Sequence, residues 1–374
     1  MPTLSHISGT FASTLESFRT CFTSPTFENF VALTCGWLTC GGRHSLARVI
    51  SGADALTHKH HSALYRFFSR ARWEPDELSR ALLERLLPHL PREIEVTVDD
   101  TLCHRGGPQI FGAGMHHDTA ASGYGRTGGG PRDVFSFGHN WVVLTVLVPM
   151  PWASGRKMSV PLIARLYRPR KSCPPAQHRK RTELARELVG RLRNWLPAGR
   201  SVSLVGDGEY ACRTVLRDLP DGVVFVGPTV ADAALYGLPG AYRGFGRPRK
   251  VGPRLRSPAQ LARADDVPWK RATVRIYGRD VTLLVKTQRG LWYKVTGSRE
   301  VCVVVTRDPS GRFQDRAYFS TAPEMPVEEI LRRIAARWNT EVCFRDAKQV
   351  LGLEHPQNGF WRRARGGRRP RGRS

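Results

Sequence analysis

Acidic residues are scarce in this chain. Its 374 residues hold 32 Asp and Glu against 58 Lys and Arg, a formal charge of +26. That imbalance predicts a polyanionic partner, most simply nucleic acid. Lysine is scarce too, nine of the 58 basic residues. Arginine grips phosphate with a planar fork, although GC-rich coding gives the same excess. The eight cysteines contain no CxxC pair, and Cys35 and Cys40 lack a matching His/Cys pair, which argues against structural zinc. Cysteines without a framework fit a reducing compartment, so a cytoplasmic, nucleoid-associated protein is expected. No GxxxxGKS/T loop occurs, and nucleotide hydrolysis is unsupported. The longest apolar run, Trp141–Trp152, is too short to span a bilayer and carries two prolines. Met1–Phe18 lacks the basic start and apolar run of a signal peptide. No membrane partner is expected.

What is present reads as an α/β chain. Residues 1–92 are helical in pattern, with apolar-periodic runs at Phe27–Leu38, Ser45–Ile50, His61–Ala71 and Pro75–Leu87. Lys59, Arg66, Arg70 and Arg72 suit phosphate contacts of a DNA-binding domain, or equally a solvated basic face. Residues 93–226 read as the first part of a core. EIEVTVDD alternates, with Ile94, Val96, Val98 and Asp100 in one phase and Asp99 in the polar phase with Glu93, Glu95 and Thr97. This predicts a half-buried strand ending in a carboxylate on its apolar face. A Gly- and His-rich stretch follows, containing His116, His117 and Asp118, a triplet that can ligate metal but in loops more often does not. Strands are predicted at Asn140–Leu147 and Val160–Tyr167, then a basic loop at Arg168–Arg181 and an amphipathic helix at Thr182–Leu196. The strand Ser201–Val205 runs into Gly206-Asp207-Gly208-Glu209, a second carboxylate at a strand end. Val223–Val226 reads as the last core strand.

Strand, strand, strand, helix, strand with acids at the first and fourth strand ends describes a ribonuclease H-like mixed sheet. Residues 227–316 read as a β-rich insertion, and 317–352 as the core's closing part with a helix over Val327–Leu351. On that helix Arg337, Glu341 and Lys348 share one face. Residues 353–374 read as a basic, disordered tail, with seven arginines between Trp361 and Ser374. It is expected either as a DNA-binding arm or as an altered end of the chain.

Asp100, Asp207 and Glu341 therefore stand out as three carboxylates far apart in sequence. Phosphoryl transfer with two divalent ions needs such a set, because hard cations prefer oxygen ligands and must be held beside a phosphate. Arg337 and Lys348 would offset phosphate charge.

The sequence resembles the DDE transposases of bacterial insertion sequences, in the branch with a Y-x2-R-x3-E-x6-K signature. Arg337, Glu341 and Lys348 match that spacing, while Ile334 stands at the tyrosine position. The resemblance also runs through Asp99-Asp100-Thr101, VGDGEYA around Asp207, RDPSGRFQDRAYFSTAP, and ARWNTEVCFRDAKQVLGLEHPQ, covering roughly residues 60–358. It implies a ribonuclease H-like core, two Mg²⁺ ions with Mn²⁺ as a substitute, and terminal inverted repeats and target DNA as partners. It implies cleavage at the element's ends, strand transfer, and a dimeric DNA complex. By position it makes Asp100, Asp207 and Glu341 catalytic and metal-binding, with Arg337 and Lys348 on the end DNA. Two alternatives remain: an inactive, truncated relative that only binds the ends, and a ribonuclease H-like nuclease indifferent to repeats.

Overall fold

The computed structural model describes residues 9–355, apart from 108–109, 120, 125–130, 243, 245, 277 and 312–313. The Arg-rich stretch Trp361–Ser374 lies outside the described residues.

The first helices are α1 (Gly9–Glu16), α2 (Ser24–Thr39), α3 (Leu46–Gly52), α4 (His61–Ser69) and α5 (Pro75–Leu86). Their starts follow from local chemistry: Pro25 and Pro75 sit in first turns, and the Ser45 hydroxyl accepts from the Arg48 N–H. The first four pack around stacked and tilted rings of Phe22, Phe30, Phe67 and Trp73. Helix α5 packs elsewhere. Its Leu83 enters the core of the sheet, and Asp76 is held by Arg165 at 2.8 Å and by Arg191 at 2.6 Å.

The sheet follows the order expected of a ribonuclease H-like core. Strand β1 (Glu93–His104) is central; the edge strand β2 (Gly114–His117) and a small pair, β3 (Gly123–Tyr124) and β4 (Pro131–Arg132), come next. Strands β5 (Phe135–Pro149) and β6 (Lys157–Tyr167) then run antiparallel on one side of β1. After helix α6 (Arg181–Trp195), strand β7 (Ser201–Gly206) pairs parallel to β1. Beyond the short helix α7 (Arg213–Leu216), β8 (Val223–Pro228) pairs parallel to β7. Val96, Val98, Leu144, Leu188 and Leu204 are fully buried between the sheet and α6. Each such side chain contributes about 1.5–3 kcal/mol by leaving water.

Residues after β8 continue this sheet. They form α8 (Pro258–Arg263), β9 (Lys270–Ile276), β10 (Arg279–Leu291), α9 (Tyr293–Thr296), β11 (Glu300–Arg307) and β12 (Arg316–Ser320). Strand β12 pairs with β8, and β11, β10 and β9 follow outward as an antiparallel run. The segment expected as an insertion thus shares the core's hydrogen-bond ladder.

Two expectations change. The helix expected over Val327–Leu351 is broken into α10 (Val327–Ala336) and α11 (Trp338–Gln349). At the break the Arg337 N–H turns back to the Ile334 carbonyl at 3.3 Å, and the Thr340 N–H to the Arg337 carbonyl at 2.9 Å, tight i→i−3 bonds without any Pro or Gly to announce them. Strand β1 is also not half-buried. Its polar phase is covered by α10 and α11, and Glu95 and Thr97 are buried. Burial is tolerated because the charges are paired. Arg332 and Lys157 each reach Glu95 at 2.6 Å; Arg333 reaches Glu93 at 2.5 Å and also the Ser203 hydroxyl. Burial alone would raise the Glu329 carboxyl, but Arg332 and Arg333 outweigh it and hold it at about 2.

Candidate active site

The parallel register of β1 and β7 ends at Val98 and Gly206. The next residues, Asp99 inside β1 and Asp207 just past β7, are therefore level with one another, and β1 runs on to His104 instead of ending at the acids as expected. Gly206 is needed there: a Cβ would sit 3.0 Å from the Tyr210 Cβ and 3.1 Å from the Phe225 ring. The Asp207 carboxylate accepts from the backbone N–H of Glu209 at 2.9 Å and of Tyr210 at 3.3 Å, which fixes the turn.

Tyr210 is fully buried, and its hydroxyl is bonded to one acid and lies in the field of three more. It donates to Asp100 at 3.2 Å and feels the charges of Asp100, Glu209, Asp99 and Asp207. Burial and these charges push its phenol far above the usual tyrosine range. Asp100 also accepts from Asn140 at 2.7 Å and from Arg181 at 3.1 Å. Arg181 in turn pairs with Glu209 at 2.7 Å. Asp100, Arg181 and Glu209 thus form one ion-paired group on the α6 side of the sheet.

Asp99 points the other way, to α11. Its carboxylate is 2.7 Å from one Arg337 nitrogen, and the other nitrogen donates to Glu341 at 2.5 Å. Burial pushes the Asp99 carboxyl up against the pull of Arg337, with Asp207 and Asp100 adding to the rise, to about 7. Lys348, one helical stretch further, donates to the Leu102 carbonyl at 2.6 Å. Arg337, Glu341 and Lys348 do share the face expected of them, and that face looks at β1.

Helix α11 is seated on hydroxyls. Thr340 bonds Thr97 at 2.5 Å and lies 3.2 Å from both Thr145 and Ser159, all buried. Thr340→Val is expected to destabilise the fold by about 1–3 kcal/mol, because buried hydroxyls lose a partner. Urea unfolding would measure it; no loss would mean that the cluster rearranges around the gap.

The raised Asp99 carboxyl carries a pH dependence. It titrates at 3.8 as a free group and at about 7 in the fold. Over that window the folded chain holds the extra proton, so stability falls as pH rises from about 4 to 7. Asp99→Asn is expected to remove this fall, read as a pH-dependent difference between urea midpoints of the two proteins at pH 5 and pH 8. A difference that does not change with pH would mean that Asp99 titrates normally.

The far end of α11 is clamped. Trp37 donates to the Leu351 carbonyl at 2.9 Å, and the His44 N–H to the His355 ring at 3.0 Å. From the other side His104 and Arg105 hold Glu354, each at 3.0 Å. Gly352 permits this approach with φ +65°.

Other candidates separate. His116 is buried against Tyr167, His117 faces Asp133, and Asp118 is bonded by His104 at 2.7 Å and Ser136 at 2.8 Å. The three side chains take separate partners, and among the described residues they form no cluster suited to a metal ion. Lys59 is used internally, on Glu28 at 2.7 Å. Arg66, Arg70 and Arg72 remain exposed, with Tyr65 and Phe68 on the outer face of α4. Sequence reasoning did not single out Arg181, Asn140, Glu209 or Tyr210. Glu209 and Tyr210 lay in the quoted VGDGEYA run, but no local pattern links Arg181 or Asn140 to it.

A family model described as "DDE superfamily endonuclease" matches residues 17–281, more than half of the chain. The chain belongs to that family. The match takes in Asp99, Asp100 and Asp207 and ends before α10 and α11. Among solved structures the chain is similar to the piggyBac transposase in its synaptic complex with hairpin DNA, determined by cryo-EM. The two are 12% identical with a TM-score of 0.40, over 96% of this chain and 67% of that one. No curated protein matches.

Proposed function

We propose that this chain is a DNA transposase of the bacterial insertion-sequence type, cutting the ends of a mobile element and joining them to target DNA. The observation that supports the reading is that Asp99 of β1 is level with Asp207 past β7 and is bridged to Glu341 of α11 by Arg337. Their oxygen donors fit hard divalent cations, Mg²⁺ or in its place Mn²⁺. Among the described residues, however, no three acids already converge on one point. Arg337 and Arg181 hold these oxygens instead. When bound, two such ions would activate the attacking oxygen and stabilise the leaving one.

The chain's own part is to hold and shield. Asp207, Glu341 and a β1 carboxylate supply the ligands, with Asp100 expected from the resemblance. Tyr210 holds the β1 end, and the hydroxyl seat under Thr340 sets the depth of Glu341. Arg337 and Lys348, each about one-quarter exposed, lie beside the acids where a DNA phosphate would take over their charge. The exposed basic and aromatic face of α4 suits the backbone of the element's end. The partners are terminal inverted repeats and target DNA, the active form is a dimer on DNA, and the compartment is the cytoplasm, at the nucleoid.

The test is a linear duplex carrying the inverted repeats that flank the gene, incubated with the full chain. Nicking at the repeat ends in Mg²⁺ or Mn²⁺, silent in EDTA and followed by joining to a plasmid, is expected. Cleavage indifferent to the repeats would replace the reading with a general nuclease. A second reading, a protein that binds ends without cutting, is favoured by the arginines already paired to the acids. Retention of the duplex without nicking in either ion would establish it.

A further inference from the structure

Strand β1 carries two adjacent acids in its middle, and strand alternation sends them to opposite faces of the sheet. Only one can face Glu341. Thr97 shares the phase of Asp99 and bonds Thr340, the neighbour of Glu341. Asp99 itself is joined to Glu341 through the two nitrogens of Arg337. It is also the residue level with Asp207 across the parallel pair β1 and β7. Asp100 lies in the phase of Val98 and faces α6. Both its oxygens are committed there, one to Tyr210 and the other to Asn140 and Arg181.

Resting on the transposase reading, the geometry assigns the β1 carboxylate that works with Asp207 and Glu341 to Asp99, and leaves Asp100 to anchor Arg181. The guanidinium of Arg337 lies between Asp99 and Glu341 and pairs with both. On the other face Arg181 neutralises Asp100 and Glu209 together. That group is complete as it stands. The Asp-Asp-Thr run offers Asp100 by its position before Thr101, but the backbone turns Asp99 toward the helix.

The full chain with Asp99→Asn or Asp100→Asn decides between them. Mn²⁺ alone is titrated into each protein and followed by electron paramagnetic resonance, and cleavage of the end-bearing duplex is measured in parallel. Asp99→Asn is expected to weaken Mn²⁺ binding by at least about tenfold and to abolish cleavage; Asp100→Asn is expected to keep Mn²⁺ binding within about threefold. The reverse pattern overturns the assignment. A double-mutant cycle in metal-free urea unfolding gives an independent readout. Asp99→Asn and Glu341→Gln should couple by at least about fivefold in the unfolding constant, and Asp100→Asn and Glu341→Gln should not. Coupling to Asp100 alone overturns it as well. A wild type that neither binds Mn²⁺ nor nicks DNA removes the transposase reading, while the cycle still identifies the acid that shares the face of Glu341.

Discussion

Replacing Glu341 by Gln is expected to slow divalent-dependent cleavage of an end-bearing duplex on the order of a thousandfold. Retention of the same duplex in a gel shift should change little. Gln keeps the shape of the side chain and an oxygen that can accept from Arg337, so α11 keeps its seat on Thr97, Thr145 and Ser159. What disappears is a negative charge that α11 brings beside Asp99 of β1. An intact melting profile with lost cleavage is the expected pair of results. Undiminished cleavage would remove Glu341 from the chemistry and with it the need for α11 to lie where it does.

The largest effect on stability is expected from Arg333→Ala. The side chain is only 5% exposed and holds Glu93 and Glu329, and it donates to Ser203. Its loss leaves Glu93 without its cation and Glu329 with Arg332 alone, where breaking a fully buried pair costs about 3–5 kcal/mol. Glu93 is 41% exposed and recovers some hydration, which favours the lower end. Adding Glu93→Gln to the variant should restore part of the loss, because it removes the stranded charge. Arg289→Ala, which breaks a pair with the largely exposed Glu324, should cost under about 1 kcal/mol. Urea midpoints measure all three. A small loss for Arg333→Ala would mean that water reaches the network.

Much of the core was legible because its elements carry their own punctuation. The alternation in EIEVTVDD, the amphipathic run before Leu196 and the apolar strand before Gly206 each have a period that one sequence displays, and the structure has strands and a helix there. The ribonuclease H-like order followed from their succession. The break at Arg337 was not legible, since it rests on the packing of Thr340 against hydroxyls that come from β1, β5 and β6. Nor was the burial of Glu95 and Thr97. Period 2 separates the two faces of a strand but does not say which face a later helix will cover. The same limit applies to Asp99. Its polar phase suggested solvent, and only the placement of α10 and α11 shows that this phase lies inside. Arg181 and Asn140 reach Asp100 from 81 and 40 residues away, distances over which no sequence pattern speaks.

The grip of Trp37 and His44 on Leu351 and His355 has a mechanical meaning. Helix α2 and the loop after it have a hand on the trailing end of the rod that carries Glu341, while its leading end meets α10 at the break at Arg337. The position of the acid along its rod is thereby tied to the amino-terminal helices as well as to the sheet. Amide exchange at residues 351–355 is expected to slow when the end-bearing duplex is bound, ahead of any cutting.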